Sequence, residues 1–355
     1  DAKCDLTLGW SYFHPTGKYG QFTGPIIYDN TIVAIFRGNT GTEYKTFDLT
    51  IKVEGYTITT AGNVTGNATV QYIDALGTDV MFVSGGDPTQ IVLAYDFATG
   101  APLWDIGTTD TEGLALGMGA GENNVYGNFI VWNDGTDDIL YFSVDIGKVY
   151  AVYAADGTPY WAAAHTPTGF GSVSNRTGTS DGMGTLFYGY AAVVGGDIVA
   201  LDALTGTQLW ALSDDGLKGN DAWGGGVTIE QFQAGMAYDA IDGYLYAVST
   251  CSGDYPIAGT LYQINAGTGL IVNDAQPVNG VSNAVTPVID VQNVLVPTRA
   301  AWNVGINSPF ALQVYGKADL SLQFGTGWGE DSSDDYMVAD MLMTCEFEAD
   351  DLIFF

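Results

Sequence analysis

Residues 201–210 read LDALTGTQLW, a stretch that combines an acid, a Thr-Gly pair and a Trp four residues after the glycine. With the preceding Ala200 the pattern recurs along the chain, most closely at 94–104 and then at 151–161. When fainter copies are included, its third residue falls at positions 48, 96, 153, 202, 265 and 315. These steps of 48, 57, 49, 63 and 50 residues give a period near 50, which indicates stacked supersecondary units.

The Thr-Gly pair predicts a hairpin between two strands. Glycine adopts the positive φ that such a turn needs, and the Asp side chain can accept N–H bonds across it. Alternating apolar runs such as Gly189–Val194 and Asp197–Leu201 precede the corner and predict further strands. Each unit is therefore predicted to be a four-stranded antiparallel meander, the blade of an all-β propeller.

The Trp that ends the pattern is predicted to pack flat between neighbouring blades. An aromatic platform for a ligand is the alternative, but recurrence at one repeat position favours packing. The residues concerned are Trp104, Trp161 and Trp210.

The pattern A-x-D-x-x-T-G-x-x-x-W resembles the PQQ-like propeller repeat over about residues 20–325. That repeat is shared by quinoprotein dehydrogenases and by non-catalytic scaffold propellers such as those of outer-membrane assembly machines. Resemblance to a dehydrogenase would imply eight blades, a vicinal Cys pair, an axial calcium and often a C-x-x-C-H haem motif. The chain has neither Cys motif, so we expect a non-catalytic member, with no catalytic residue and no certain cofactor.

The repeats predict one propeller domain over residues 1–355, with seven blades from about residue 20 to the end. Asp351–Phe355 aligns with the third strand of a blade, so that the last blade lacks a fourth strand. Residues 3–12, which include Trp10, are predicted to supply this strand and close the ring.

This closure predicts a Cys4–Cys345 disulfide, because the two residues then belong to the same blade. Such a bond would contribute about 4–5 kcal/mol by the loop-closure model. Three free buried thiols are the alternative. Cys251 would be a free thiol or pair between subunits.

The charge balance, 10 Lys+Arg against 41 Asp+Glu, gives a net charge of −31. This argues against nucleic-acid and anionic-membrane partners, and no apolar run approaches a membrane span. The start at Asp1 and the composition predict an exported protein, located outside the cell or at its surface. Three sequons are candidate glycosylation sites: Asn63, Asn67 and Asn175.

Catalytic motifs are sparse. His14 and His165 lie far apart, and neither G-x-S-x-G nor a zinc-type cluster is present. Two acidic runs are calcium candidates, although a hairpin turn explains the first and a solvated loop the second equally well. The possible ligands are Asp134, Asp137, Asp138, Asp331, Asp334 and Asp335.

Two functions remain open. The first is a non-enzymatic structural or interaction subunit that self-assembles into a filament, tube or surface layer, as a homo-oligomer or homopolymer with cation or glycan contacts. The second is a quinone- or metal-dependent oxidoreductase, or a polysaccharide-acting enzyme, that uses the axial funnel.

Overall fold

The structure is a computed structural model, and it describes most of the chain. The described residues are 19–20, 25–38, 41–62, 64–119, 122, 124–144, 146–166, 173–192, 198–212, 230–231, 235–251, 260–275, 286–298, 310–328, 342–343 and 353–354.

In the described residues the secondary structure is almost entirely strand. The elements of the N-terminal half are β1 (Tyr19–Gly20), β2 (Ile26–Tyr28), β3 (Thr31–Gly38), β4 (Gly41–Asp48), β5 (Glu54–Thr60), β6 (Thr65–Gly66), β7 (Thr69–Ile73), β8 (Thr78–Asp87), β9 (Gln90–Asp96), β10 (Pro102–Ile106), α1 (Thr111–Ala115), β11 (Val125–Asn133), β12 (Asp138–Val144) and β13 (Val149–Tyr153). Those that follow are β14 (Val173–Ser180), β15 (Thr185–Ala192), β16 (Ile198–Asp202), β17 (Gln208–Leu212), β18 (Glu230–Gln231), β19 (Met236–Asp239), β20 (Tyr244–Val248), β21 (Thr250–Cys251), β22 (Leu261–Asn265), β23 (Ile271–Ala275), β24 (Val288–Ile289), β25 (Asn293–Thr298), β26 (Phe310–Gly316), β27 (Leu322–Trp328), β28 (Leu342–Met343) and β29 (Ile353–Phe354).

These strands form a series of antiparallel meanders in chain order. Sheet 1 holds β1–β5, sheet 2 holds β7–β10, and sheet 3 holds β11–β13 with β6 added in parallel to β11. Sheet 4 is β14–β17, sheet 5 is β19, β20, β22 and β23, and sheet 6 is β24–β27. Sheet 3 completes its outer edge with isolated bridges, Val152 to Pro159 and Val149 to His165. The pairs β18–β21 and β28–β29 lie outside these six sheets.

The core lies between the sheets. Alternate residues of a strand point to opposite faces, and in sheet 3 this divides the interior in two. Leu140 and Phe142 pack with residues of sheet 2, whereas Ile139 and Tyr141 pack with residues of sheet 4. Similar clusters join sheets 1 and 2, 4 and 5, and 5 and 6. This face-to-face stacking of successive sheets is the packing of a β-propeller.

First strands of neighbouring sheets contact one another, as β7 does with β11, β11 with β14, β14 with β19, and β19 with β24. The first strands therefore converge and are the inner strands, and the fourth strands are the outer ones. The predicted all-β fold of four-stranded antiparallel sheets is confirmed. The seventh blade stays a prediction. The closing strand, residues 3–12 with Trp10, lies outside the described residues.

The repeated corner has one hydrogen-bond pattern. In sheet 4, Asp202 Oδ1 accepts bonds from the backbone N and Oγ1 of Thr205, at 2.8 and 2.9 Å. The backbone N of Gly206 donates to the carbonyl of Asp202 at 2.8 Å, and Gly206 has a φ of 69°. The corners at Asp96 and Asn265 make the same bonds.

Two corners reach the same geometry without glycine. Lys52 and Leu320 occupy the glycine position with φ values of 57° and 50°, and each donates its N–H back across the turn. In sheet 6 the corner starts at Gly316, one residue later than the position 315 read from the sequence. Phe324 then pairs with Val314 as Trp104 pairs with Ala94.

An aromatic ring from each of four sheets lies against the corner of the next sheet. Four donor–acceptor pairs recur: Tyr56 OH to Phe97 O (2.8 Å), Trp104 Nε1 to Ala154 O (3.1 Å), Trp161 Nε1 to Ala203 O (2.8 Å) and Trp210 Nε1 to Ala266 O (2.9 Å). The rings also cover the corner glycine. A Cβ on Gly269 would lie 2.7 Å from the Trp210 ring, closer than van der Waals contact allows.

Gly269→Ala and Gly243→Ala separate the ring contact from backbone strain. Both glycines lie in turns of sheet 5 with φ of 72°, but nothing lies within 4 Å of a Cβ at Gly243. Each substitution should cost about 1–2 kcal/mol for the left-handed conformation. Gly269→Ala should cost a further ~1–3 kcal/mol of overpacking. Urea unfolding measures both, and equal losses would contradict a role for the Trp210 contact.

Candidate functional site

The repeat tryptophans lie at separate junctions between sheets. Trp104 is at the junction of sheets 2 and 3, Trp161 at that of sheets 3 and 4, and Trp210 at that of sheets 4 and 5. Trp161 is buried, and each indole N–H is bonded to a backbone carbonyl of the next sheet. The three rings do not form one ligand platform, and their contacts are those of inter-sheet packing.

The acidic run 133–138 is the turn between β11 and β12. Asp134 Oδ1 accepts the backbone N–H groups of Thr136 and Asp137, each at 2.9 Å, and its Oδ2 accepts the Tyr160 hydroxyl at 2.9 Å. The N–H bonds from Asp137 and Thr136 lower the pKa of Asp134. Asp138 accepts bonds from Asn133 Nδ2 and from the backbone N of Asp74. Both carboxylate oxygens of Asp134 and of Asp138 thus accept hydrogen bonds from the protein.

Equivalent turns in other sheets use an Asp in the same way. Asp181 accepts the backbone N–H groups of Met183 and Thr185, and Asp290 accepts those of Gln292 and Asn293. Within the described ranges, no group of three or more His, Cys, Asp or Glu side chains is placed to hold a metal.

Several predicted positions cannot be compared with the structure. The predicted residues outside the described ones are Trp10, Asp331, Asp334, Asp335, Cys4, Cys345 and Asn63. Asn175 is described only as part of β14. Asn67 lies beside the inner strand β11 and donates its backbone N–H to Gly127 O at 2.7 Å.

His165 is half-buried at the outer edge of sheet 3. Its Nε2 atom is buried and has no hydrogen-bond partner among the described residues. Burial lowers the pKa of the imidazole, although a hydrogen bond with the Gly206 backbone opposes this.

Sequence reasoning overlooked a polar group at the inner edge of sheets 2 and 3. Two segments, NVTGN at 63–67 and NVYGN at 124–128, could have pointed to it. They pair in parallel, with Thr65 opposite Tyr126 and Gly66 opposite Gly127. A Cβ on Gly66 would lie 2.7 Å from the carbonyl oxygens of Gly127 and Val125, so only glycine permits this approach.

Buried acceptors accompany the second segment. The Oδ1 atoms of Asn124 and Asn128 are buried and have no hydrogen-bond partner within the described part of the chain. Nearby in sequence, the buried Glu122 accepts Lys148 Nζ at 2.8 Å and the Tyr150 hydroxyl at 2.7 Å. Burial and the Glu122 contact raise the pKa of Tyr150. Both carboxylate oxygens of Glu122 are engaged, so the amides are the free acceptors of this edge.

The junction between sheets 5 and 6 replaces the Trp contact with polar groups. Asn273 stands at the Trp position and donates to Gln263 Oε1 at 2.6 Å. Gln263 in turn donates to Lys317 O at 2.9 Å. Lys317 Nζ forms a buried ion pair with Asp239 and lies 3.0 Å from Asp242. Burial opposes both charges, but their mutual attraction raises the pKa of Lys317 and lowers that of Asp239.

Exposed apolar side chains occupy two further surfaces. The first, here called the outer-strand stripe, has one exposed residue on each of four outer strands: Leu103, Leu209, Val272 and Leu322. The second, here called the turn end, is where the first-to-second and third-to-fourth strand turns meet. Its apolar residues that are more than half exposed are Ile51, Val53, Met183, Leu204, Ile241, Leu270 and Val291.

The fold defined by these sheets is that of a β-propeller, and the chain is similar in structure to several solved proteins. The quinohemoprotein alcohol dehydrogenase ADHIIG from Pseudomonas putida HK5 has a TM-score of 0.58 at 12% identity, covering 93% of this chain and 62% of that one. The quinohemoprotein alcohol dehydrogenase from Comamonas testosteroni has a TM-score of 0.54 at 16% identity, covering 76% of this chain and 43% of that one. BamB from Moraxella catarrhalis has a TM-score of 0.49 at 12% identity, covering 92% of this chain and 90% of that one.

The likeness to the two dehydrogenases shows the fold alone, and this chain spans less than two thirds of either one. No family model and no curated protein matches the chain. Among the described residues, no helix has the length and apolar character that crossing a bilayer requires.

The substitution Asp134→Ala distinguishes stabilisation of the β11–β12 turn by this side chain from calcium binding. The substitution removes three hydrogen bonds and should lower the free energy of unfolding by about 1–2 kcal/mol, with or without EGTA. Asp137→Ala, which removes the same charge from the same turn, should cost under about 0.5 kcal/mol. Thermal unfolding with calcium and with EGTA measures this. Calcium-dependent stability lost in both variants would instead identify a calcium site.

Lys317→Met tests the polar junction. It leaves Asp239 buried without its cation and should cost about 3–5 kcal/mol at neutral pH, whereas Asp242→Asn should cost under about 1 kcal/mol. The lowered pKa of Asp239 means that its stabilising effect is present above the ordinary carboxyl pKa and is lost as pH falls through the lower, folded value. The deficit of Lys317→Met should therefore shrink below about pH 4. A deficit that is constant with pH in urea unfolding would contradict this assignment.

Proposed function

We propose that the chain is an exported, non-enzymatic β-propeller that serves as a structural or interaction subunit, and that its copies associate through the outer-strand stripe into a filament, tube or surface layer. The observation that carries this proposal is the repetition of an exposed apolar residue on four outer strands. Leu103, Leu209, Val272 and Leu322 are 40–53% exposed on β10, β17, β23 and β27. Burial of such side chains is the main favourable term in protein association.

The charge distribution also favours the outer strands for self-association. A chain with a net charge of −31 repels its own copies. Of the four strands, β17 and β27 contain no charged residue, while β10 and β23 contain one Asp each. Contact through this surface therefore brings few like charges together, and bound cations or salt would reduce the remaining repulsion.

The backbone of these strands favours side-chain contact over strand pairing. A register shift interrupts the pairing of each outer strand with its neighbour, at Pro102/Trp104 in β10 and at equivalent places in β17, β23 and β27. Such bulges discourage the addition of a further strand at a sheet edge. Association would therefore use the exposed Leu and Val side chains, which suits a specific and repeated contact.

A role for the inner edge is the second candidate, because Asn124 and Asn128 present buried acceptors there. That role would be quinone- or metal-dependent oxidation, or action on a polysaccharide, in the axial funnel. A visible absorbance band, a bound metal or glycan binding lost in Asn128→Ala would support it.

The subunit proposal is tested by sedimentation velocity and negative-stain electron microscopy of the purified chain, with calcium and with EGTA. We expect large ordered assemblies. A triple variant, Leu103→Ser, Leu209→Ser and Val272→Ser, should sediment as a monomer while keeping its β-type circular dichroism.

The matched control is Ile51→Ser, Ile241→Ser and Val291→Ser, which removes as many apolar residues from the turn end and should assemble like the wild type. A wild-type chain that stays monomeric across salt, calcium and protein concentration would contradict the proposal.

A further inference from the structure

The turn end is a single surface, because the turns of successive sheets touch one another. The backbone N of Asp74 in sheet 2 donates to Asp138 in sheet 3, and Trp132 of sheet 3 donates to Gly182 O in sheet 4. Lys317 of sheet 6 reaches Asp239 in sheet 5. The antiparallel order places first-to-second and third-to-fourth turns at the same end of every sheet.

The turn end exposes several large apolar side chains, whereas single, scattered ones are usual on a protein surface. Seven of them are more than half exposed, from 52% at Leu204 to 79% at Ile241 and Val291. They lie on the turns of sheets 1, 4, 5 and 6. Exposed apolar groups that recur on one face and are interspersed with polar groups are characteristic of a protein-binding surface.

The same turns are strongly acidic. Apart from the corner at Asn265, each corner or hairpin described above starts with or contains an Asp, and Asp29, Asp137 and Asp156 add carboxylates at this end. The basic residues of the described turns at this end are Lys52 and Lys317, and Lys317 is held between Asp239 and Asp242. The apolar residues are therefore surrounded by negative charge.

From these observations we propose that the turn end binds a basic polypeptide segment in which Lys or Arg alternates with apolar side chains. The apolar residues of such a segment would contact residues such as Ile241 and Val291, and its cations would face the turn carboxylates. Charge complementarity of this kind accelerates association and selects the partner. It also disfavours a second copy of this chain, because two turn ends would place like charges against each other. The site is separate from the outer-strand stripe and does not depend on self-association.

The test uses fluorescence anisotropy of a short labelled peptide of alternating Lys and Leu, with a Lys and Ser peptide of equal charge as the probe control. We expect the Lys-Leu peptide to bind the full chain at least about tenfold more tightly than the Lys-Ser peptide, and increasingly weakly as salt is raised. The variant Ile51→Ser, Ile241→Ser and Val291→Ser should lose that tenfold preference.

The control variant Leu103→Ser, Leu209→Ser and Val272→Ser has the same charge and should bind the Lys-Leu peptide like the wild type. Equal binding of the two peptides, or an unchanged preference in the turn-end variant, would overturn the proposal. Loss of assembly in the turn-end variant during sedimentation would also overturn it, because the occupant would then be a second copy. Failure of the wild-type chain to assemble would leave this result intact and would bear only on the subunit proposal.

Discussion

The structure depends on one contact, in which an aromatic ring from the outer edge of one sheet lies on the corner glycine of the next sheet. The ring supplies apolar area, and its N–H or O–H satisfies a backbone carbonyl that the corner would otherwise leave without a partner. The glycine is needed twice, for its positive φ and because a Cβ would strike the ring. Neighbouring sheets are thereby held in one relative position, and their apolar faces close over the intervening core.

The contact also explains why polar groups concentrate where it is absent. At the junction of sheets 5 and 6 an Asn stands in place of the ring, and the space is filled by Gln263, Lys317 and Asp239. A buried ion pair gives a directional connection but little net free energy, since desolvation offsets much of the attraction. Thus the series of sheets contains at least two kinds of junction, one apolar with an indole and one polar with a buried cation. Their stabilities respond differently to pH.

Features that depend on residues close together in the sequence were predicted correctly. Features that depend on contacts between residues far apart in the sequence were not. The Asp-x-x-Thr-Gly corner is local chemistry, so the sheet type and the position of most corners could be read directly. The sixth corner was placed one residue early because Leu320 adopts a positive φ without the glycine that would mark it. The carboxylates of Asp134 and Asp138 suggested a cation, and only the positions of their N–H and O–H donors reveal the turn. The inner asparagines escaped notice because a five-residue repeat is a weak signal until parallel pairing brings its copies together.

The two corners without glycine bear on how this fold diverges. The left-handed conformation of Lys52 and Leu320 costs about 1–2 kcal/mol of stability at each residue. Burial of the large core between the sheets can offset this loss. Substitutions can therefore remove the sequence pattern of the repeat at one corner after another while the backbone conformation stays the same. The sequence of such a chain can diverge until little identity to proteins of the same fold remains, although the fold itself is kept. The 12% identity to a solved structure of the same fold illustrates this.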